Sequence, residues 1–385
     1  MRVAVLFPAF LGGGAEAVCA WILEALKDEY EVNLATLAPI KLKALDEQYG
    51  TCLYGSSVRV QVLPFSLPGV LRERILSSFS LVTLRQFILM RAYRKLLRGQ
   101  FDVVISAFDE MDFGHRGIQY ICAPIIGQGH ERARAILGYP DFLLRRIYRT
   151  IFKHWSGYSE ARMKANLTLT LSKWMAQLLK EVYGINARVI YPPVKRDFGR
   201  VDWLERENGF VLVARVVREK KIESAIKIIS GVRKRGYDVH LHILSGIGDN
   251  RYWMELRRMS AGMDWIHWEQ RLAKEAYGRM LSAHKYGIHP RPNEQFGIGI
   301  AEMILAGVIP FVPSEGGQAE IVGYNPNLLW SSEEEAIEKI VRIISDSTLQ
   351  EQIRSALQHS YHPWLPENFK EEIKRAVADF IRGKV

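Results

Sequence analysis

Cysteine is scarce in this 385-residue chain. The three present, Cys19, Cys52 and Cys122, show no paired or metal-type spacing. That excludes a disulfide framework and suits a reducing compartment. No apolar run approaches the ~20 residues of a membrane-spanning helix. The opening "MRVAVLFPAFLGGG" has a brief apolar run and one basic residue. It ends in glycines where a secretory leader would end in a cleavable small-residue site, so it reads as a first buried strand. There is no repeat of fixed period and no low-complexity segment. G-x-G-x-x-G, G-K-[ST] and D-x-D are all missing, as is any His/Cys ligand spacing. These gaps exclude the dinucleotide fingerprint, the P-loop and the familiar metal motifs, and no metal is expected.

Acidic residues are in deficit. Asp and Glu number 42 against 52 Lys and Arg, a net charge of +10. Such a balance favours anionic partners: phosphates, nucleic acid or lipid headgroups. No recognition helix, zinc module or RNA-binding signature accompanies it, which argues against nucleic acid.

What is present is an alternation of short apolar runs and helical patterns. Strands are expected at 2–7, 31–37, 58–63, 102–107, 118–121 and 166–171, and again at 210–215, 238–244, 264–268, 285–290 and 308–313. This rhythm predicts parallel α/β sheets. The prolines of "ARVIYPPV" (187–194) suggest a linker. The predicted fold class is α/β, with two doubly wound Rossmann-like domains, 1–194 and 195–365, facing across a cleft. An amphipathic helix at 366–382 is open to packing back on the first. Open parallel sheets bind ligands beyond the carboxyl ends of their strands.

Four loops could line such a site. In "NEQFGIGIAEMILAG" (293–307), Glu294 is expected on a loop after a strand and Glu302 about one turn into the following helix. Gly297 and Gly299 allow close approach to that helix start, where free N–H groups favour a phosphate. The carboxylates could each accept sugar hydroxyls. The bland alternative is a solvated glutamate pair. In "VLVARVVREKK", Arg215 ends a strand, and Lys220 or Lys221 could clamp a diphosphate with it. "FLGGGAEA" (10–17) supplies Gly13 and Gly14, and "SEGGQAE" (314–320) supplies Gly317 and Glu320. Each is weak alone.

Taken in order, these elements resemble the retaining glycosyltransferases of family 4, which have the GT-B fold: the glycine loop after the first strand, R-x4-K, E-x7-E as "EQFGIGIAE", and G-G-x-x-E as "GGQAE". With "QYICAP" and "VIYPPV", the wording is most similar to the mannosyltransferase type that extends dolichol-linked oligosaccharide at the cytosolic face of the endoplasmic reticulum. The resemblance implies that Glu294 contacts the transferred sugar and Glu302 the ribose. Arg215 and Lys220 would hold the diphosphate, with Lys221 as alternative. Phe296, Gly297, Ile298 and Gly299 would shape the donor seat, Gly13 and Gly14 would close over it, and Gly317 and Glu320 would support it. It also implies a GDP-sugar or UDP-sugar donor, no cofactor, and a glycan or lipid-linked acceptor. Epimerases, phosphorylases and a catalytically silent subunit share the architecture and stay open.

One departure stands out. Relatives of the lipid-linked type often carry histidine where this chain has Cys122, leaving His115 or His130 as substitutes. "FDEMD" (108–112) is expected to be a polar turn or an acceptor contact. The basic, apolar segments 67–99 and 132–155 read as membrane-surface helices that would rest on an anionic leaflet. The expected location is cytoplasmic, peripheral to the cytosolic face of a membrane.

Overall fold

The fold is described from a computed structural model. It describes the chain except residues 66–68, 79–80, 128–129, 138–142, 196–197, 200, 247, 271, 360–361 and 385. Two compact units are formed, Met1–Pro193 with Pro366–Val385, and Val194–Leu365.

The first unit is built on seven strands: β1 Arg2–Leu6, β2 Glu31–Thr36, β3 Arg59–Val62, β4 Val103–Ser106, β5 Ile118–Ile121, β6 Leu167–Thr170 and β7 Arg188–Val189. Their order is β3-β2-β1-β4-β5-β6-β7, with every pairing parallel. Stretches such as "VAVL" and "VVI" are apolar throughout because helices cover both faces of a parallel sheet. The stretch 187–194 is not simply a linker, since its Arg188 and Val189 pair with Leu169 and Thr170 at the sheet edge. A two-residue ladder carries no periodicity to read. Helix Pro366–Ile381 belongs to this unit: Phe369 packs on Tyr120, and Arg188 pairs with Glu372 and Asp379 at 2.7 and 3.2 Å.

The second unit holds β8 Glu207–Val213, β9 His240–Ser245, β10 Ile266–Gln270, β11 His284–Ile288, β12 Ile309–Pro313 and β13 Leu329–Trp330. The order is β10-β9-β8-β11-β12-β13, again all parallel. In both sheets the direction of winding reverses beside the first strand, between β1 and β4 and between β8 and β11. Such a reversal leaves a crevice at the strands' carboxyl ends.

The membrane-surface expectation for 67–99 is narrowed, because the longer helix of that segment packs inward. Helix Val82–Leu96 buries Phe87, Ile88, Leu89, Met90 and Tyr93 in the core of the first unit. Its arginines serve the backbone. Arg85 is buried and donates to the carbonyls of Ile75, Leu76 and Ser78 at 2.7–3.1 Å. Arg85 therefore anchors a loop from within the core, while Arg91, Lys95 and Arg98 stay exposed. Among the described residues no single helix is long and apolar enough to cross a membrane.

Candidate active site

In the second unit, the loops after β8 and β11 meet at the reversal. Beyond β8 the chain passes Arg215, which is exposed and two residues past the strand end. It then makes a short turn, Arg218–Lys220, before helix Ile222–Lys234. Lys220 faces inward and its Nζ pairs with Glu294 Oε2. Lys221 instead takes a left-handed backbone, φ 48°, and its side chain is exposed. Of the two candidate lysines, Lys220 reaches the glutamate.

Glu294 lies in the loop between β11 and helix Ile298–Leu305, only 6% exposed. Two residues absent from the sequence expectations surround it. His289 Nε2 lies 3.1 Å from Oε2, and Arg291 Nη1 3.5 Å from Oε1. Burial by itself would raise the Glu294 carboxyl. Lys220 and Arg291, with the His289 hydrogen bond, more than offset it and hold the group well below the usual carboxylate range. Burial pushes His289 down, helped by Lys220 and opposed by Glu294. The imidazole is thus neutral and donates from Nε2, and its buried Nδ1 has no hydrogen-bond partner among the described residues. Burial, Arg291 and Arg215 also lower the Lys220 amine.

The loop after β12 is stitched to this one. The backbone of Glu294 bridges Gly316, and the Gly317 N–H donates to the Glu294 carbonyl at 2.7 Å. Gly316 has φ 115°, and a Cβ there would sit 2.8 Å from the Glu294 nitrogen. Only glycine fits that conformation and approach. Gln318 is buried and donates to the carbonyls of Arg291, Pro313 and Glu315. Gly317 caps helix Gln318–Ile321, which carries half-buried Glu320.

Glu302 sits on the fifth residue of helix Ile298–Leu305. Its Oε2 accepts from the Tyr277 hydroxyl at 2.6 Å, another contact the sequence did not signal. Burial raises the Glu302 carboxyl to about 7 against that hydrogen bond. Gly297 begins the helix with φ 106°. Gly297, Ile298 and Gly299 are half-buried, while Phe296 is buried against Trp364, ring centroids 6.1 Å apart. Gly299 lets the helix approach β8: a Cβ there would lie 3.1 Å from that of Val213.

Gly13 and Gly14 belong to the first unit. Gly13 caps helix Gly14–Leu26, so Gly14 is helical, not a loop residue. Both are exposed. The loop before them is closed by Glu16, whose carboxylate accepts from the amides of Leu11 and Gly12 and from Tyr49 at 2.8 Å.

"FDEMD" is neither a solvated turn nor an exposed contact. Glu110 is fully buried and accepts from the amides of Ile125, Ile126 and Gly127 and from Tyr183. Asp109 accepts from the Cys122 and Ala123 amides at 2.8 Å. Burial, then Glu110, raises its carboxyl to about 8. Asp112 pairs with Arg162 at 2.8 Å and Arg94 at 3.4 Å. These acids pin the loops of the sheet. His115 precedes β5, whereas Cys122 follows it, so His115 stands at the wrong end to replace it. It bonds Tyr93 at 3.0 Å. The side chain of His130 lies outside the described residues. Burial, then Asp109, raises the Cys122 thiol well above its ordinary range, so it is un-ionised.

Two doubly wound parallel sheets in one chain are the architecture of the GT-B fold. Residues 194–359 match the family model of glycosyl transferases group 1. The chain is 23% identical over 259 residues to a protein of Dictyostelium discoideum named GDP-Man:Man(3)GlcNAc(2)-PP-Dol alpha-1,2-mannosyltransferase. The match covers 61% of this chain and 51% of that one. A Candida glabrata protein of the same name is 23% identical over 191 residues, covering 45% and 37%. The chain thus spans about half the length or less of these curated relatives. Among solved structures, Anabaena HepE in complex with UDP-glucose is similar with TM-score 0.68 and 14% identity, covering 98% of this chain and 100% of that one. WaaG, a glycosyltransferase involved in lipopolysaccharide biosynthesis, is similar with TM-score 0.67 and 13% identity, covering 97% and 99%.

Proposed function

We propose that this protein is a retaining, metal-independent glycosyltransferase. It moves a hexose, mannose in the first instance, from a nucleotide diphosphate sugar to a lipid-linked or membrane-proximal glycan. The observation that carries the reading is the Glu294 carboxylate, ionised in a buried setting beside Lys220, His289 and Arg291 at the second sheet's reversal. Cleaving a sugar–phosphate bond builds positive character on the sugar and negative charge on the leaving diphosphate. A fixed carboxylate suits the first. Lys220 and Arg215 suit the second, and preorganised groups of this kind each contribute about 2.7–4 kcal/mol to rate. Glu302 offers hydroxyl acceptors to the ribose. Its Oε2 is held by Tyr277, and no hydrogen bond to its Oε1 is found among the described residues.

The donor nucleotide is expected to be GDP, on the strength of the curated relatives' names; UDP is the alternative suggested by the HepE complex. A membrane-facing acceptor is supported by exposed apolar side chains in the first unit: Ile147, Ile151 and Trp155 on helix Leu143–Ser156, and Val70 and Leu71 on helix Gly69–Ser77. Flotation with anionic vesicles tests that surface: the chain is expected to float with them, and no flotation would remove the membrane-facing acceptor.

The site is tested by thermal shift with GDP, UDP and ADP and their sugar conjugates, all in EDTA. A ligand at 100 times its Kd adds about 2.7 kcal/mol of stability. A shift with one base supports the donor site and names the donor. No shift with any nucleotide would overturn the reading.

A further inference from the structure

The other end of the second sheet holds an unassigned cluster. Glu207 is the first residue of β8, His240 of β9 and His284 of β11. They lie at the strands' amino ends, whereas Arg215, Lys220 and Glu294 follow the carboxyl ends. At ~3.3 Å per residue, the length of β8 separates the two places by about 20 Å. His242, two residues after His240, projects from the same face of β9.

β8 lies between β9 and β11, so a side chain from β9 must cross it to reach His284. The residue of β8 paired with His240 is Gly209. A Cβ at Gly209 would lie 2.1 Å from His240 Nε2, in the space the imidazole now fills. Through that gap His240 Nε2 comes within 3.0 Å of His284 Nε2 and 3.2 Å of Glu207 Oε2. Glu207 Oε2 is 3.9 Å from His284 Nε2. One donor atom from each of His240, His242 and His284 lies within 4.8 Å of the others.

These separations suit a metal. Tetrahedral bonds of about 2.0–2.1 Å place donor atoms about 3.3 Å apart. The rings are also oriented from behind. His284 Nδ1 faces the Met280 carbonyl at 2.8 Å, which keeps the proton there and leaves the Nε2 lone pair for the cluster. His242 Nδ1 faces Glu269 at 3.3 Å, and His267 stacks on the His242 ring at 4.5 Å between centroids. His284 is buried, while the Glu207 side chain is 56% exposed, so an ion has a route in from solvent.

We propose that His240, His242 and His284, with Glu207, bind a divalent transition cation of the Zn2+ type, at a site separate from the donor loops. Imidazole nitrogen with one carboxylate selects such ions over Mg2+ or Ca2+, which prefer oxygen. The ion would clamp β9, β8 and β11 together at one end.

The test uses the full, tag-free chain, stripped with EDTA and titrated with ZnCl2 by calorimetry, with zinc content measured after gel filtration. One zinc per chain is expected. Two variants check the geometry: His240→Asn removes a ligand, and Gly209→Ala keeps every ligand but fills the gap. Each should weaken zinc binding at least tenfold. Nucleotide binding should be unchanged in both, which separates this site from the proposed donor site. If either variant fails to fold without metal, Glu207→Gln at the exposed edge replaces it, with weaker binding expected. Substoichiometric zinc in the wild type, or equal affinity in the variants, would overturn the proposal and leave a hydrogen-bonded histidine cluster.

Discussion

The Nε2 of His289 lies 3.1 Å from the Oε2 of Glu294, the oxygen that also receives Lys220. One carboxylate oxygen is thus shared by a neutral donor and a cation, while Arg291 approaches the other at 3.5 Å. Removing one member leaves the rest uncompensated in a buried place, which costs about 3–5 kcal/mol. Lys220→Met should therefore destabilise the chain more than its effect in a Glu294→Gln background. Urea unfolding of both singles and the double should give a coupling of about 1–3 kcal/mol. Additive values would mean that the two side chains do not interact in solution.

The same carboxylate predicts a turnover effect without loss of fold. Glu294→Gln keeps size and one acceptor oxygen, so circular dichroism should match the wild type. Removing a charge aimed at the reacting centre should lower kcat by about 10²–10³. Near-wild-type turnover would remove Glu294 from the chemistry.

How much of this was readable in advance follows from the range of each interaction. The parallel strands are legible because burial on both faces makes their sequences continuously apolar. β7 and β13, of two residues each, have no such run. Within the loop after β11, His289 and Arg291 stand five and three residues before Glu294, and "HPRPNE" carries the signal of a basic loop. Tyr277, Gln318 and the cluster of His240 with His284 are different. Their meetings depend on sheet order and on a missing side chain at Gly209, neither of which spacing reveals. "FDEMD" misleads for a related reason. Three acids in five residues look solvated until the amides of 122–127 and the guanidinium of Arg162 are placed around them.

Glu302 predicts a pH dependence. Burial raises its carboxyl to about 7 against an ordinary value of 4.5. A raised carboxyl binds its proton more tightly when folded. The folded state is therefore favoured below about 4.5 and loses that advantage as pH climbs to about 7, by up to about 3 kcal/mol. Glu302→Gln cannot ionise. Its stability relative to the wild type should rise between pH 4.5 and 7 and level off above. A flat difference across that range in urea unfolding would show that Glu302 titrates normally.

Asp112 predicts the opposite sign. Burial would raise its carboxyl, but hydrogen bonds from Arg162, Gly114 and Ser159, with the Arg94 charge, bring it below its ordinary 3.8. A depressed carboxyl stabilises the fold above the unfolded value and loses that contribution as pH falls through the folded one. At pH 7, Asp112→Asn should cost about 3–5 kcal/mol, because it leaves the guanidinium of half-buried Arg94 without its charge partner. As pH falls through the lowered folded value the wild-type carboxyl is itself protonated, and the gap between the two proteins should narrow. Paired urea melts in a pH series from 7 down into the acid range decide the matter. A gap that stays constant with pH would mean that the amide destabilises through packing, and that the Asp112–Arg162–Arg94 charges contribute little.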